Sequence, residues 1–297
     1  MSSSAGLTGT GATIGEALAG ARRRLTDAGV ESPALDARLL LQHALAIDAA
    51  TVIGYPERRM DADEGERFDD LVARRCRREP LAYITGRREF WSLPFAVTAD
   101  TLVPRPDSET LVEAVLDRYA DRGAPLSVLD LGTGTGCLLL AILSEYPIAR
   151  GSGVDISAGA VAVARANADY LDLGDRAEFS LGNWAVGLSE FFDIVVANLP
   201  YVPANDRETL APEVAEHEPE GAVFGGADGL DPFRLVIPDL SRLLAIGGVA
   251  FLEIGAGQLD AITALVQNNG LQIIEVKEDL SGHPRCVAVT TQAAARP

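Results

Sequence analysis

The rhythm of apolar residues changes near residue 107. Before that point they recur at helical spacing. Ile14, Leu18, Ala21 and Leu25 share one face of a 3.6-residue period. Thr13-Ile14-Gly15-Glu16 is a capping-box pattern, in which Thr13 and Glu16 satisfy the free N–H groups of a helix start. Ser32-Pro33 starts a second helix with proline in its first position, and Leu35, Leu39, Leu40 and Leu45 give it an apolar side. Asp61 opens a third, with Phe68, Leu71 and Val72 on one face. Three or four such helices predict a small bundle over residues 13–84, behind a flexible tail at 1–12. Glu79-Pro80 ends the helical region. Phe90-Trp91 and Phe95-Ala96-Val97 flank Ser92-Leu93-Pro94, which predicts a hairpin or extended linker over 85–106.

From 107 to 297 short β-rich runs alternate with helical stretches. The runs lie at 128–131, 151–154, 177–181, 193–197, 248–252, 271–276 and 286–290. The run at 193–197 is apolar after its first residue, which suits a parallel strand covered on both faces. Seven strands alternating with helices predict an α/β fold, a doubly wound Rossmann-like sheet, behind the N-terminal bundle.

Composition narrows the class. A chain of 297 residues with 47% hydrophobic content forms one large domain or two modest ones. No apolar run reaches about 18 residues, which argues against a membrane span, and the first residues do not read as a secretory signal. Cys76, Cys137 and Cys286 form no CxxC pair, and His43, His217 and His283 are scattered. A disulfide framework and a metal centre are therefore not expected, and a reduced, cytoplasmic protein is. The formal net charge of −18 opposes a nucleic-acid phosphate backbone. Arg22-Arg23-Arg24 and Arg74, Arg75, Arg77 and Arg78 are local exceptions, read as solvated helix faces.

Two stretches carry chemistry. Asp130-Leu131-Gly132-Thr133-Gly134-Thr135-Gly136 stands where the first strand hands over to a helix. Glycines permit close backbone approach to a ligand. The spacing is G-x-G-x-G, with Cys137 where a dinucleotide fingerprint has its last glycine. Asp130 also suits a pyrophosphate poorly and a cofactor bearing sulfonium and ammonium charges well. Asp155, in Gly153-Val154-Asp155-Ile156-Ser157, follows the next strand and can accept two ribose hydroxyls. The combination resembles the class I S-adenosylmethionine-dependent methyltransferases.

The second stretch is Asn198-Leu199-Pro200-Tyr201, directly after the fourth strand. An amide nitrogen is a poor nucleophile because its lone pair is delocalised. Two acceptors aimed at its NH2 group can orient it and favour charge leaving the carbonyl. The Asn198 side-chain oxygen and the Leu199 carbonyl are the candidates, with the Tyr201 ring able to cover the flat amide. The tetrapeptide resembles the (N/D)-P-P-(Y/F/W) motif of enzymes that methylate nitrogens conjugated to planar systems. Leu199 replaces the first proline, which frees a locked φ and adds an N–H. Because Leu199 precedes Pro200 it stays extended, so a looser loop with intact chemistry is expected.

Further stretches extend the likeness: Pro80 to Gly86, Leu102 to Glu109, Glu218-Pro219, Gly225 to Leu230, Leu252 to Gly255, and Asp279 to Gly282. With the bundle, they make the chain resemble the HemK/PrmC family, the peptide-chain release factor glutamine methyltransferases, from about Ile14 to Val289. Ser108 stands where that family often has threonine. The resemblance implies S-adenosylmethionine as cofactor, S-adenosylhomocysteine as its product, and no metal. It implies class I release factors as partners, methylated at N5 of the glutamine in their Gly-Gly-Gln motif, with the bundle helping to dock them. The cofactor would contact Asp130, Gly132, Thr133, Gly134, Thr135, Gly136, Asp155, Ile156, Asn183, Trp184 and Asn198. Asn198, Leu199, Pro200 and Tyr201 would bind the substrate glutamine, with Asn198, Pro200 and Tyr201 catalytic. Arg105 reads equally as a site residue or as an ion-pair partner of Glu109, and Gly225-Gly226 as a turn. A ribosomal-protein glutamine or, against the charge, a nucleic-acid base are the alternative substrates.

Overall fold

The computed structural model describes residues 11–291; the tail expected at 1–12 falls mostly outside them. Two compact units emerge. The first takes the chain up to Gly86 and adds Pro212–His217 from much later in the sequence. Its helices are α1 (Ile14–Asp27), α2 (Pro33–Leu45), α3 (Ala49–Gly54), α4 (Ala62–Cys76) and α5 (Leu81–Thr85). Capping boxes open α1 at Thr13 and α4 at Asp61, each closed by a glutamate three residues on. Ile14, Leu25, Leu40, Leu41 and Val72 are fully buried in its core. The helices α3 and α5 have six and five residues, too short to show a period in sequence.

The arginine run is not a solvated face. Arg75 is buried and pairs with Asp36 at 2.7 Å and Glu213 at 2.8 Å. Arg78 pairs with Glu213 at 2.6 Å, and Arg74 with Glu79. Glu213 lies 135 positions from Arg78 and further still from Arg75, so composition alone misassigns the charge.

The second unit holds the rest. It starts with a hairpin, β1 (Arg87–Phe90) and β2 (Leu93–Ala96). The turn is Trp91-Ser92 rather than Ser92-Leu93-Pro94, and both turn residues have positive φ, 52° and 58°. Tight hairpin turns need positive φ and normally recruit glycine or asparagine. Here tertiary bonds hold the Trp91 side of the turn. Its backbone N–H donates to Glu109 and its indole N–H to Glu145, both at 2.8 Å.

The seven-stranded sheet contains β3 (Ser127–Leu131), β4 (Arg150–Asp155), β5 (Ala177–Leu181), β6 (Phe192–Ala197), β7 (Leu244–Glu253), β8 (Leu271–Glu278) and β9 (Pro284–Thr291). Their order is β5-β4-β3-β6-β7-β9-β8, with the first five parallel and β9 antiparallel to both neighbours. Each central strand sends alternate residues to two cores. Val128, Ile194, Val196 and Phe251 enter one, and Leu129, Leu131, Val195 and Leu252 the other. Helices α6 (Glu109–Arg118), α7 (Cys137–Glu145) and α8 (Ala158–Tyr170) belong to this unit. Among the described residues no helix is long and apolar enough to cross a membrane. The three cysteines are free.

Candidate active site

The strand order reverses at β3, with β4 on one side and β6 on the other. In open α/β sheets ligands bind in the crevice beyond the carboxyl ends of the strands at such a switch point. The glycine loop leaves β3 there, Asp155 ends β4, Asn183 and Trp184 follow β5, and Asn198 follows β6. They surround a cavity of about 440 Å3 lined by Gly132, Thr133, Gly134, Thr135, Asp155, Ile156, Asn183, Trp184, Asn198 and Pro200. The connector after the hairpin adds Asp100, Thr101, Arg105 and Ser108 to its wall. Of these, the sequence offered only Arg105, as one of two equal readings; Asp100, Thr101 and Ser108 were not expected in the site, although the run Leu102 to Glu109 marked the segment.

Gly132 and Gly134 take left-handed φ of 75° and 54°. A Cβ on Gly132 would come within 3.0 Å of the Trp184 ring, so close approach as well as φ requires glycine there. Asp155 braces the loop: its Oδ2 accepts from Gly134 N–H and its Oδ1 from Ser157 N–H, each at 2.9 Å. Each oxygen retains a lone pair for a further donor. Ile156 is 74% exposed, an apolar side chain on the cavity wall.

Four expected residues do not line the cavity. Asp130 lies beneath the loop, 1% exposed. Thr133 Oγ1 donates to its Oδ2 at 2.7 Å, while Oδ1 makes no hydrogen bond. Burial pushes this carboxyl up to about 7, against the Thr133 bond and with added repulsion from Asp155. Gly136 packs α7 onto its neighbours, where a Cβ would meet Ala164 and Phe179 at 3.2 Å. Leu199 is 1% exposed and belongs to a sheet core. The leucine that replaces the family's proline therefore anchors the loop by burial rather than by a locked φ. Tyr201 points its hydroxyl to Glu253 Oε1 at 3.2 Å instead of lining the cavity, and burial followed by the Glu253 charge pushes its pKa up.

The tetrapeptide is held from several sides. Asn198 Nδ2 donates to Ser108 Oγ at 3.0 Å. Gln258 Nε2 donates to the Tyr201 carbonyl at 3.0 Å. Gly225 is more than a turn residue: a Cβ there would stand 2.3 Å from the Pro200 carbonyl oxygen, so only glycine fits beside the loop. Arg105 pairs with the buried Glu218 at 2.6 Å rather than with Glu109, which is occupied by Trp91. Cys137 also faces the cavity, but burial pushes its thiol up to about 12, which disfavours the nucleophilic thiolate. Among the described residues no group of three or more His, Cys, Asp or Glu is arranged to hold a metal ion.

Known proteins share both units. Residues 16–86 match the family model described as PrmC N-terminal domain, and residues 128–221 the model described as Methyltransferase domain. The release factor glutamine methyltransferase of Rhodospirillum rubrum is 46% identical over 91% of this chain and 83% of its own length. That of Caulobacter vibrioides is 42% identical over 93% of this chain and 95% of its own. Among solved structures, the hMettl16 catalytic domain in complex with MAT2A 3'UTR hairpin 6 superposes with a TM-score of 0.54 at 16% identity. That match covers 74% of this chain and 81% of that one and shows a common fold. A PrmC N-terminal domain ahead of a methyltransferase domain, with identity above 40% to these relatives over more than nine-tenths of the chain, means that the chain belongs to the release factor glutamine methyltransferase family.

Proposed function

We propose that this enzyme transfers the methyl group of S-adenosylmethionine to the side-chain nitrogen N5 of the glutamine in the Gly-Gly-Gln motif of class I release factors, modulating translation termination. The observation that carries the reading is the Asn198 amide at the cavity wall. Its nitrogen is bound by Ser108, and among the described residues no donor reaches its oxygen. An amide held this way offers a hydrogen-bond acceptor to an incoming NH2 group. No described residue donates to the Leu199 carbonyl, which supplies the second acceptor. Two acceptors on one NH2 group fix its plane and favour the polarised amide in the transition state.

The cavity suits the cofactor on its own chemistry. Asp130 Oδ1 is an unpartnered buried carboxylate oxygen beneath the loop, matched to a positively charged ligand. The remaining lone pairs of Asp155 accept the ribose hydroxyls. Gly132 to Thr135 present backbone to the methionine part, while Ile156, Asn183 and Trp184 cover the base. When bound, the sulfonium supplies a methyl group on a leaving group that needs no acid. The chain's residues then do three things: bind the cofactor, orient the glutamine, and exclude water. The bundle is the docking element for the release factor, without a direct nucleic-acid role.

The test is methyl transfer from labelled S-adenosylmethionine to unmethylated release factor, a ribosomal protein and DNA in parallel. Label on release factor at its Gly-Gly-Gln glutamine is expected. Label on ribosomal protein or DNA with none on release factor would overturn the proposal.

A further inference from the structure

Arg105 stands at the cavity wall with most of its hydrogen-bonding capacity unspent. Its Nη2 donates to Glu218 Oε1 at 2.6 Å, and the Glu218 side chain is 1% exposed. Glu218 Oε2 also accepts the backbone N–H of Val103 at 3.4 Å. The buried acid thus holds the connector after the hairpin at Val103 and at Arg105. It does not use up the guanidinium, which carries five N–H donors. The Arg105 side chain is 33% exposed, and its Nε and Nη1 donate to no described residue.

The charges around the cavity give that free capacity a meaning. Among the described residues that line it, Arg105 alone is cationic, while Asp100 and Asp155 are acids. Asp130 adds a third acid beneath the loop. S-adenosylmethionine brings two positive groups, the sulfonium and the ammonium, and one negative group, the carboxylate of its methionine part. Acids suit the first two and repel the third. The glycine loop has few donors to offer a carboxylate. The N–H groups of Gly132 and Thr133 go to the Val154 carbonyl, that of Gly134 to Asp155, and that of Gly136 to the Thr133 carbonyl. Glycine loops that cradle phosphates keep such N–H groups for the anion. Here they are spent inside the protein.

We propose that Arg105, steadied by Glu218, binds the carboxylate of the cofactor's methionine part and makes the site select ligands that carry it. A guanidinium fork matches a carboxylate in shape, and a bond between two ionised partners is the strong kind. The neutral carbonyl oxygen of a substrate glutamine would gain less from the same fork. The buried Glu218 keeps one nitrogen of the fork in place, so fewer rotamers are lost when the ligand arrives. The proposal rests on the cofactor reading above and adds the group that reads the charge at the amino-acid end. Its rival is the start of α7, where Cys137 and Leu138 also line the cavity and a helix N-terminus could take the anion.

The experiment measures binding by calorimetry and needs no methyl transfer. The ligands are S-adenosylhomocysteine and its decarboxylated analogue, which keeps the adenosine, the thioether and the amine. The proteins are the full chain, Arg105→Met, and Arg105→Met combined with Glu218→Gln. The parent should prefer the ligand with the carboxylate by about 10- to 100-fold, the size of one charge-assisted pair. Arg105→Met should lose that preference: Kd for S-adenosylhomocysteine rises by the same factor, and Kd for the analogue changes less than about threefold. Removing Arg105 alone leaves Glu218 buried without its partner, which can unfold the chain. The double variant relieves that charge and carries the same expectation. A preference that survives in the variants would overturn the proposal and place the carboxylate at the start of α7. An equal loss for both ligands would also overturn it, leaving Arg105 a structural partner of Glu218 only. So would a parent with no preference. All three results leave the cofactor reading standing, whereas a parent that binds neither ligand would overturn that reading and the proposal together.

Discussion

Asp130 and Glu253 are two versions of one device. Each is a carboxylate 1% exposed at the carboxyl end of a central strand, beneath a loop that shapes the site. Each accepts one hydroxyl bond from that loop, Thr133 in one case and Tyr201 in the other, and each keeps one oxygen without a hydrogen bond. Burial raises both to about 7. Their surroundings differ. The charged neighbour of Asp130 is another acid, Asp155, whereas Glu253 has Arg285 nearby and the Ser108 hydroxyl at hand. The first carboxyl has only an acid as its charged neighbour, which adds to the rise. The second has a basic neighbour, Arg285, which opposes the rise.

The largest effect should come from Asn198, the amide at the cavity wall. Asn198→Ala should lower kcat by about 10^2- to 10^3-fold, as expected for removing an oriented polar partner of a transition state. Cofactor affinity should remain largely intact when followed by calorimetry. A rate within a few-fold of the parent would remove Asn198 from the acceptor role.

Next comes the division of labour between the two acids. If Asp130 must be ionised to hold the cofactor, cofactor affinity should rise about tenfold per pH unit up to about 7 and level off above it. Asp130→Asn should weaken binding and abolish the slope. Glu253→Gln should leave the slope alone. A slope that follows Glu253 instead would break the distinction.

The smallest effect is on stability without ligand. Both acids have folded-state pKa values raised above their ordinary 3.8 and 4.5, so the native state holds these protons more tightly than the unfolded chain. Their contribution is fully present below about pH 4, is lost as pH rises through about 7, and is constant above that. Urea titrations should show the parent losing stability over that window relative to Asp130→Asn with Glu253→Gln. Parallel profiles for the two proteins would mean that neither raised value is real in solution.

Much of this was legible in the chain. All seven strands of the large sheet lie where the β-rich runs predicted them, the central parallel ones because a strand buried on both faces needs a local block of apolar residues. The capping box at Thr13 and the helix start at Asp61 were readable because a helix start is satisfied within four residues. The turn at Trp91-Ser92 was not, since its positive φ angles go with bonds to Glu109 and Glu145 rather than with glycine. Nor was the inclusion of Pro212–His217 in the helical unit, which involves Arg75 and Arg78 meeting Glu213.

By itself, the sequence marked the candidate groups: a glycine loop entered by Asp130, an acid at 155, and Asn198-Leu199-Pro200-Tyr201 after the fourth strand of the large sheet. These are local signals, set by backbone conformation and strand ends, and they survive in one dimension. Only the tertiary structure decided how those groups are held. Asn198 finds a hydroxyl partner 90 residues away in Ser108, and Tyr201 finds Glu253 on the next strand. Leu199 is fixed by burial in the sheet core. Such pairings join distant parts of the chain, and hydrogen-bond direction and burial exist only once the strands stand side by side.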